Sequence, residues 1–179
     1  MTQQPTPEQA TFALQTIWLP AYASEHPITK GVISAIPADK ADYRPDAVAK
    51  SGSDLAWHIV GAEIMFLEGV AAGTFTFGGT RPEVVRTPTD VVTWYSDQFA
   101  AVVERLKAMT GEQLTTPIDF RGMCTRPAVT FLQSGLSHTI HHRGQLSMYL
   151  RQMGAKVPSI YGESFDAREA RERAQKTSG

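Results

Sequence analysis

The sequence holds a single cysteine, Cys124, so no intramolecular disulfide can brace it, and a reducing compartment suits it. Charge of one sign is also scarce. Seventeen Lys and Arg face 18 Asp and Glu, the formal net charge is −1, and no long run of either sign occurs. That balance argues against the basic footprint with which proteins hold nucleic acid or anionic membranes. The longest apolar segment, Leu55 to Ala72, is interrupted by His58, Glu63 and Glu68, so it is not expected to span a bilayer. The N-terminal MTQQPTPEQA lacks the basic start and apolar core of a signal peptide. Internal repeats and low-complexity tracts are missing as well, and strand signals are few, with room for one short extended piece in TFTFGGTRPEVV. At 179 residues the chain can bury a core without staples. The expectation is a single soluble, cytoplasmic domain with no nucleic-acid or membrane partner.

Helical periodicity is what the sequence does have. Phe12, Leu14, Ile17 and Trp18 share a face before Pro20 bends the chain, and a second turn-rich start at Ser24–Pro27 leads into an apolar stretch that Pro37 ends. Together they predict one long, kinked first helix. After a Pro- and Asp-rich loop, Ser51 with Asp54 marks a helix start. Leu55, His58, Ile59, Ala62, Met65, Phe66 and Gly69 recur at helical spacing, and Gly73 suits the C-terminal cap. A glycine-rich loop follows. Thr87-Pro88-Thr89-Asp90 starts a third helix carrying Val91, Trp94, Tyr95, Phe99 and Val102, with Trp57 and Trp94 read as core or interface. A loop containing Cys124, read as an ordinary thiol, leads to a fourth helix opening at Thr125-Arg126-Pro127 and running to about Gln152. The charged end from Asp166 reads as a short helix that frays. The pattern predicts an all-α four-helix bundle with long inter-helix loops, its core at about 8–165 and its tail at 166–179.

Three of the five histidines fall in the fourth helix, within S-H-T-I-H-H-R-G-Q-L-S-M-Y from Ser137 to Tyr149. At about 100° per residue, His142 lies about 40° from His138, while Gln145 and Tyr149 fall within about 20° of it. Phe131 and Ser134 complete this stripe, His141 falls at its edge, and Arg143 points away, toward a structural ion pair. The stripe is polar in its middle turns, where burial without partners is costly. Histidines four apart can bind one ion, yet such a pair alone is more often a surface or hydrogen-bonded pair. His58, set among Leu55, Ile59, Ala62 and Met65 on the second helix, supplies a third ligand expected to face the interior. No carboxylate shares these faces, and Glu63 and Glu68 are read as pairing with Arg143 or solvating an outer face. His26, beside Pro27, carries no signal of partners.

The segments YRPDAVAKSGSDLAWHIVGAEIMFLEG, HTIHHRGQLSMYLRQMG and KVPSIYG resemble the DinB-like family of damage-inducible four-helix-bundle proteins. The likeness covers residues from about 8 to 165, and its H-x3-H-R-G-Q run is the most specific part. It implies an up-down-down-up bundle, commonly a homodimer, with a divalent ion, often nickel or zinc, held at the positions of His58, His138 and His142. Members are similar to S-transferases and isomerases that use a low-molecular-weight thiol such as mycothiol, bacillithiol or glutathione. The family is distinct from the DNA polymerase of similar name.

Three neutral imidazoles leave a divalent ion its full charge and an open position, which suits catalysis better than a closed structural site. Two enzyme readings follow. The ion lowers the pKa of a bound thiol for attack on an electrophile, or it generates hydroxide for hydrolysis. In both, Gln145 and Tyr149 are placed to position a small-molecule substrate or water. A non-catalytic metal-binding stress protein is the third reading.

Overall fold

In the computed structural model, which describes residues 4–177, the first helical rod runs from Pro7 to Ser34. Thr6 opens it with a reciprocal cap to Gln9, and Pro7 needs no partner at the first helical position. Helix α1 (Pro7–Ala13) passes through a π-helical turn (Leu14–Trp18) into α2 (Leu19–Ser34). The Leu19 N–H bonds back five residues to the Leu14 carbonyl. The wide turn thus lies just ahead of Pro20, which has no N–H to continue the ladder. The rod is continuous, and its expected kink takes the form of this bulge.

Helix α3 (Gly52–Ala72) begins at Ser51, whose Oγ accepts the Asp54 N–H at 3.0 Å. The Asp54 carboxylate pairs with Arg44 instead of returning to Ser51, so this cap has one arm only. Gly73 closes the helix at φ 70°, the left-handed cap expected of it. Helix α4 (Pro88–Lys107) starts from Thr87 and Asp90 with both arms formed. A short α5 (Gly111–Thr115) precedes β1 (Pro117–Phe120) and β2 (Cys124–Pro127), which pair antiparallel with Phe120 opposite Cys124. This hairpin stands where the sequence predicts a loop and the start of the fourth helix. Helix α6 (Phe131–Gln152) begins only after a short 3-10 turn. The C-terminal segment forms the expected helix, α7 (Phe165–Thr177), anchored where Asp166 meets Arg151 at 2.7 Å; the fraying expected at the very end lies outside the described residues.

Contacts fix the directions of the four long helices. Tyr22 meets Leu132, Thr29 meets Arg143 and Lys40 meets Met153, so α2 and α6 run parallel. His58 lies by His142 while Phe66 lies by His138, so α3 and α6 are antiparallel. Trp57–Trp94, Glu63–Tyr95 and Glu68–Arg105 make α3 and α4 parallel. The bundle is therefore up-down-down-up, with α2 and α3 on a diagonal and each packed against both α4 and α6.

The buried arc of α3 centres on Glu63 and Val70, about a quarter turn from the stripe that periodicity picks out. His58 sits half-buried at the edge of that arc instead of in its middle. Glu63 turns inward, 1% exposed, accepting a hydrogen bond from Tyr95; it neither solvates an outer face nor pairs with Arg143. Glu68 pairs with Arg105. His26 lies within α2, its ring stacked on Phe99 at 4.0 Å and tilted against Tyr95 at 4.5 Å.

Helix α6 approaches α3 closely at Gly135, where an added Cβ meets the Phe66 Cβ at 2.8 Å and the Tyr22 hydroxyl at 2.7 Å. Gly135→Ala is expected to destabilise by about 1–3 kcal/mol, offset by up to about 1 kcal/mol of helix propensity. Urea denaturation reads this directly, and an unchanged midpoint contradicts the close approach. Burial and nearby Lys30 hold His26 down at about 4, against an ordinary value of 6.5. The unfolded chain therefore takes up that proton first. Its contribution to stability is complete above about pH 6.5 and is lost as pH falls toward 4. His26→Phe should flatten that part of the melting-temperature profile.

Candidate metal centre

The two helices that carry histidine present it from the same relative position. The buried arc of α6 holds Thr139, Arg143, Leu146 and Leu150, and His138 and His142 lie at its edge, one turn apart. Because α3 runs antiparallel, the edge of its own arc brings His58 opposite both. All three rings meet. The potential ligand nitrogens of His58, His138 and His142 lie within 4.8 Å of one another, and the ring centroids are 4.5–4.8 Å apart. No other such group of His, Cys, Asp or Glu occurs among the described residues.

His58 Nε2 stands 3.3 Å from His142 Nε2. Two nitrogens bound to one tetrahedral ion at about 2.0–2.1 Å stand roughly 3.3–3.4 Å apart, so the spacing fits. Gln145 fixes the chemistry of His142. Its Oε1 lies 2.9 Å from Nδ1, which must then carry the proton and leave the Nε2 lone pair facing His58. Buried Nδ1 of His138 has no hydrogen-bond partner among the described residues. Burial, then the neighbouring histidines, hold His138 down at about 4. Burial, then His142 and Lys50, lower His58 as well. Both rings are thus neutral near pH 7, the form that ligates metal. No carboxylate joins them: Asp54 is engaged by Arg44, and Glu63 lies on the core side of α3 with Tyr95.

The remaining sequence candidates separate clearly. His141 is exposed, its ring 4.7 Å from that of His142 and outside the triangle. Gln145 orients His142. Tyr149 is buried a turn further on, its ring edge-on to Tyr43 at 6.2 Å and its hydroxyl without a partner among the described residues. Cys124 is half-buried in β2. What sequence reading missed is the space in front of the triangle. His58 and His138 line a cleft of about 980 Å³ with Trp57, Trp94, Phe66, Phe77 and Phe120. The alternating aromatics of TFTFGG were a signal for it, since a surface loop has no packing need for two phenylalanines.

Comparison with known proteins places the chain in a family. The DinB family model matches residues 18–175. The chain belongs to the DinB family. YjoA of Bacillus subtilis is 28% identical over 136 residues, covering 74% of this chain and 86% of that one. YrdA of the same organism is 32% identical over 109 residues, covering 60% and 64%. The crystal structure of YjoA, a DinB-like protein, aligns with a TM-score of 0.68 at 25% identity over 80% of this chain and 96% of that chain. A Bacillus cereus DinB-like protein aligns at 0.69 and 29% identity, over 80% and 95%.

In this DinB-family chain, His58→Ala or His138→Ala should abolish stoichiometric metal, and His141→Ala should retain it. Elemental analysis of protein purified without an affinity tag makes the measurement. Unchanged metal in the first two variants defeats the three-histidine site.

Proposed function

We propose that this DinB-family protein is a metal-dependent enzyme that activates a low-molecular-weight thiol for S-transfer to an electrophile. The observation that carries the reading is a triangle of three imidazoles, free of carboxylate, opening on an aromatic-lined cleft. His58, His138 and His142 would hold the divalent ion, nickel or zinc. When bound, such an ion stabilises a coordinated thiolate and so supplies a strong sulfur nucleophile at neutral pH.

The chain's own residues do the rest. Gln145 holds the tautomer and orientation of His142. The lowered proton affinity of His58 and His138 keeps protons from competing for the site. Trp57, Phe66 and Phe120 keep the mouth apolar, which favours the thiol over water as occupant. Lys50, near enough to depress His58, adds positive potential where an anionic sulfur would sit.

The test is a thiol titration of protein loaded with cobalt or nickel, using mycothiol, bacillithiol and glutathione in turn. A sulfur-to-metal absorption band that saturates with one thiol is expected. No band, with ester or amide turnover, moves the protein to hydrolysis. No band and no turnover leaves a metal-binding bundle and overturns the catalytic reading.

A further inference from the structure

We propose that the cleft holds the acceptor substrate as an apolar, preferably aromatic, carboxylic acid, with its carboxylate on Arg121 and its body on Phe66, Phe77 and Phe120. Assigning this acid as the acceptor rests on the S-transfer reading; its binding does not.

Charge supports the assignment first. The chain carries a formal net charge of −1, yet the cleft is lined by Arg44, Lys50 and Arg121 against one carboxylate, Asp54. Arg44 already serves Asp54 at 3.1 Å and the Ala49 carbonyl at 2.7 Å. Lys50 and Arg121 remain as cations with no hydrogen-bond or ion-pair partner among the described residues. They stand at different ends. Lys50 precedes α3, eight residues before His58, whereas Phe66, eight residues after it, stacks on the ring next to Arg121. Lys50 acts on His58 itself, whereas at about 1.5 Å per residue the Phe66 end is on the order of 12 Å from His58 along the helix.

The backbone at Arg121 is the second observation. Arg121 and Gly122, at φ 57° and 70°, are the central residues of a β-turn in the three-residue loop between paired Phe120 and Cys124, closed by the Met123 N–H on the Phe120 carbonyl at 3.0 Å. Such turns favour Asn, Asp or Gly at the first position, and arginine is strained there. Strain kept at a cleft mouth points to a use for the side chain. The guanidinium carbon stands over the Phe77 ring, 4.1 Å from its centroid. The ring holds the guanidinium through a cation–π contact that uses none of its N–H donors, so its planar fork is left for a carboxylate.

The apolar path is continuous. Phe77 meets Phe120 at 5.2 Å, Phe120 stacks on Phe66 at 5.5 Å, and Phe66 lies 6.4 Å from the His138 ring. An acid anchored at Arg121 therefore extends its body along these rings toward the histidines.

The probe pair is 3-phenylpropanoate and 3-phenylpropanamide, equal in shape and different in charge, with Trp57 and Trp94 in the cleft wall as fluorescence reporters. The carboxylate should bind about tenfold or more tightly than the amide. Arg121→Asn should erase that preference while leaving Tm unchanged or higher, since asparagine suits the turn. Arg121→Lys, which keeps charge without the fork, should retain part of it. Equal binding of both probes to the unaltered protein, or a preference surviving Arg121→Asn, overturns the proposal. Repeating the titration on chelator-treated protein separates the two readings. A preference that persists there belongs to Arg121 whatever becomes of the metal, and one that vanishes shows the carboxylate was ligating the ion instead.

Discussion

The ion pair between Arg143 and Glu25, 2.6 Å apart with the guanidinium 1% exposed, fixes where everything else in the site can be. Taking both charges out of water costs several kcal/mol per ion, and the structure offsets it with further partners. Arg143 also donates to the Thr29 hydroxyl at 3.1 Å and to the Tyr161 hydroxyl at 2.6 Å, and Tyr161 in turn donates to Glu25 at 3.1 Å. Losing one member leaves a buried charge uncompensated, an arrangement worth about 3–5 kcal/mol. A rotation of α6 that slackened this pair would do that. Arg143 follows His142 directly, so locking it against α2 aims His142 and His138 at α3. Tyr161 extends the lock to the loop after α6, which gives the segment KVPSIYG a mechanical role.

With α6 locked, the two histidine helices each work two faces. On α3, Ala56, Ile59, Val60, Glu63 and Leu67 fill the core, while Trp57, His58, Gly61, Ala62 and Met65 face the cleft. Both faces are largely apolar, so periodicity alone finds a stripe spanning the two and misjudges its centre by about a quarter turn. The same offset applies to α6, where Arg143 reads as pointing outward yet lies in the core. The grouping of His58, His138 and His142 was nonetheless legible. A common offset on two antiparallel helices preserves which side chains meet.

Other features were hidden for local reasons. The hairpin of β1 and β2 has four-residue strands and an Arg-Gly turn in place of Asn-Gly, and a proline stands at the outer end of each strand. Little distinguishes such a segment from a loop until Phe120 finds Phe66 and Phe75 to pack against. Helix α7 buries no residue, so no apolar stripe announces it. Its order comes from Arg151–Asp166 and Arg171–Glu163, pairs that spacing along the chain does not reveal. The capping signals of α3 and α4, by contrast, act within four residues and were readable as written.

The absence of a carboxylate ligand ties the site to the substrates it suits. Glu63, five residues beyond His58 on α3, is turned to the core side. There it bonds to Tyr95, and burial raises its pKa toward the neutral form. A glutamate among the ligands, as in two-His-one-Glu sites, would cancel part of a divalent charge before any substrate arrived. An ion held by the three histidines would keep its full charge, with Lys50 and Arg121 in the cleft wall adding to it. Under the proposed function the compensating negative charge would come from what binds. A thiolate at the histidines and a carboxylate at the hairpin tip satisfy the same electrostatic demand. With Glu63 held in the core, the cleft keeps the positive balance on which both proposals rest.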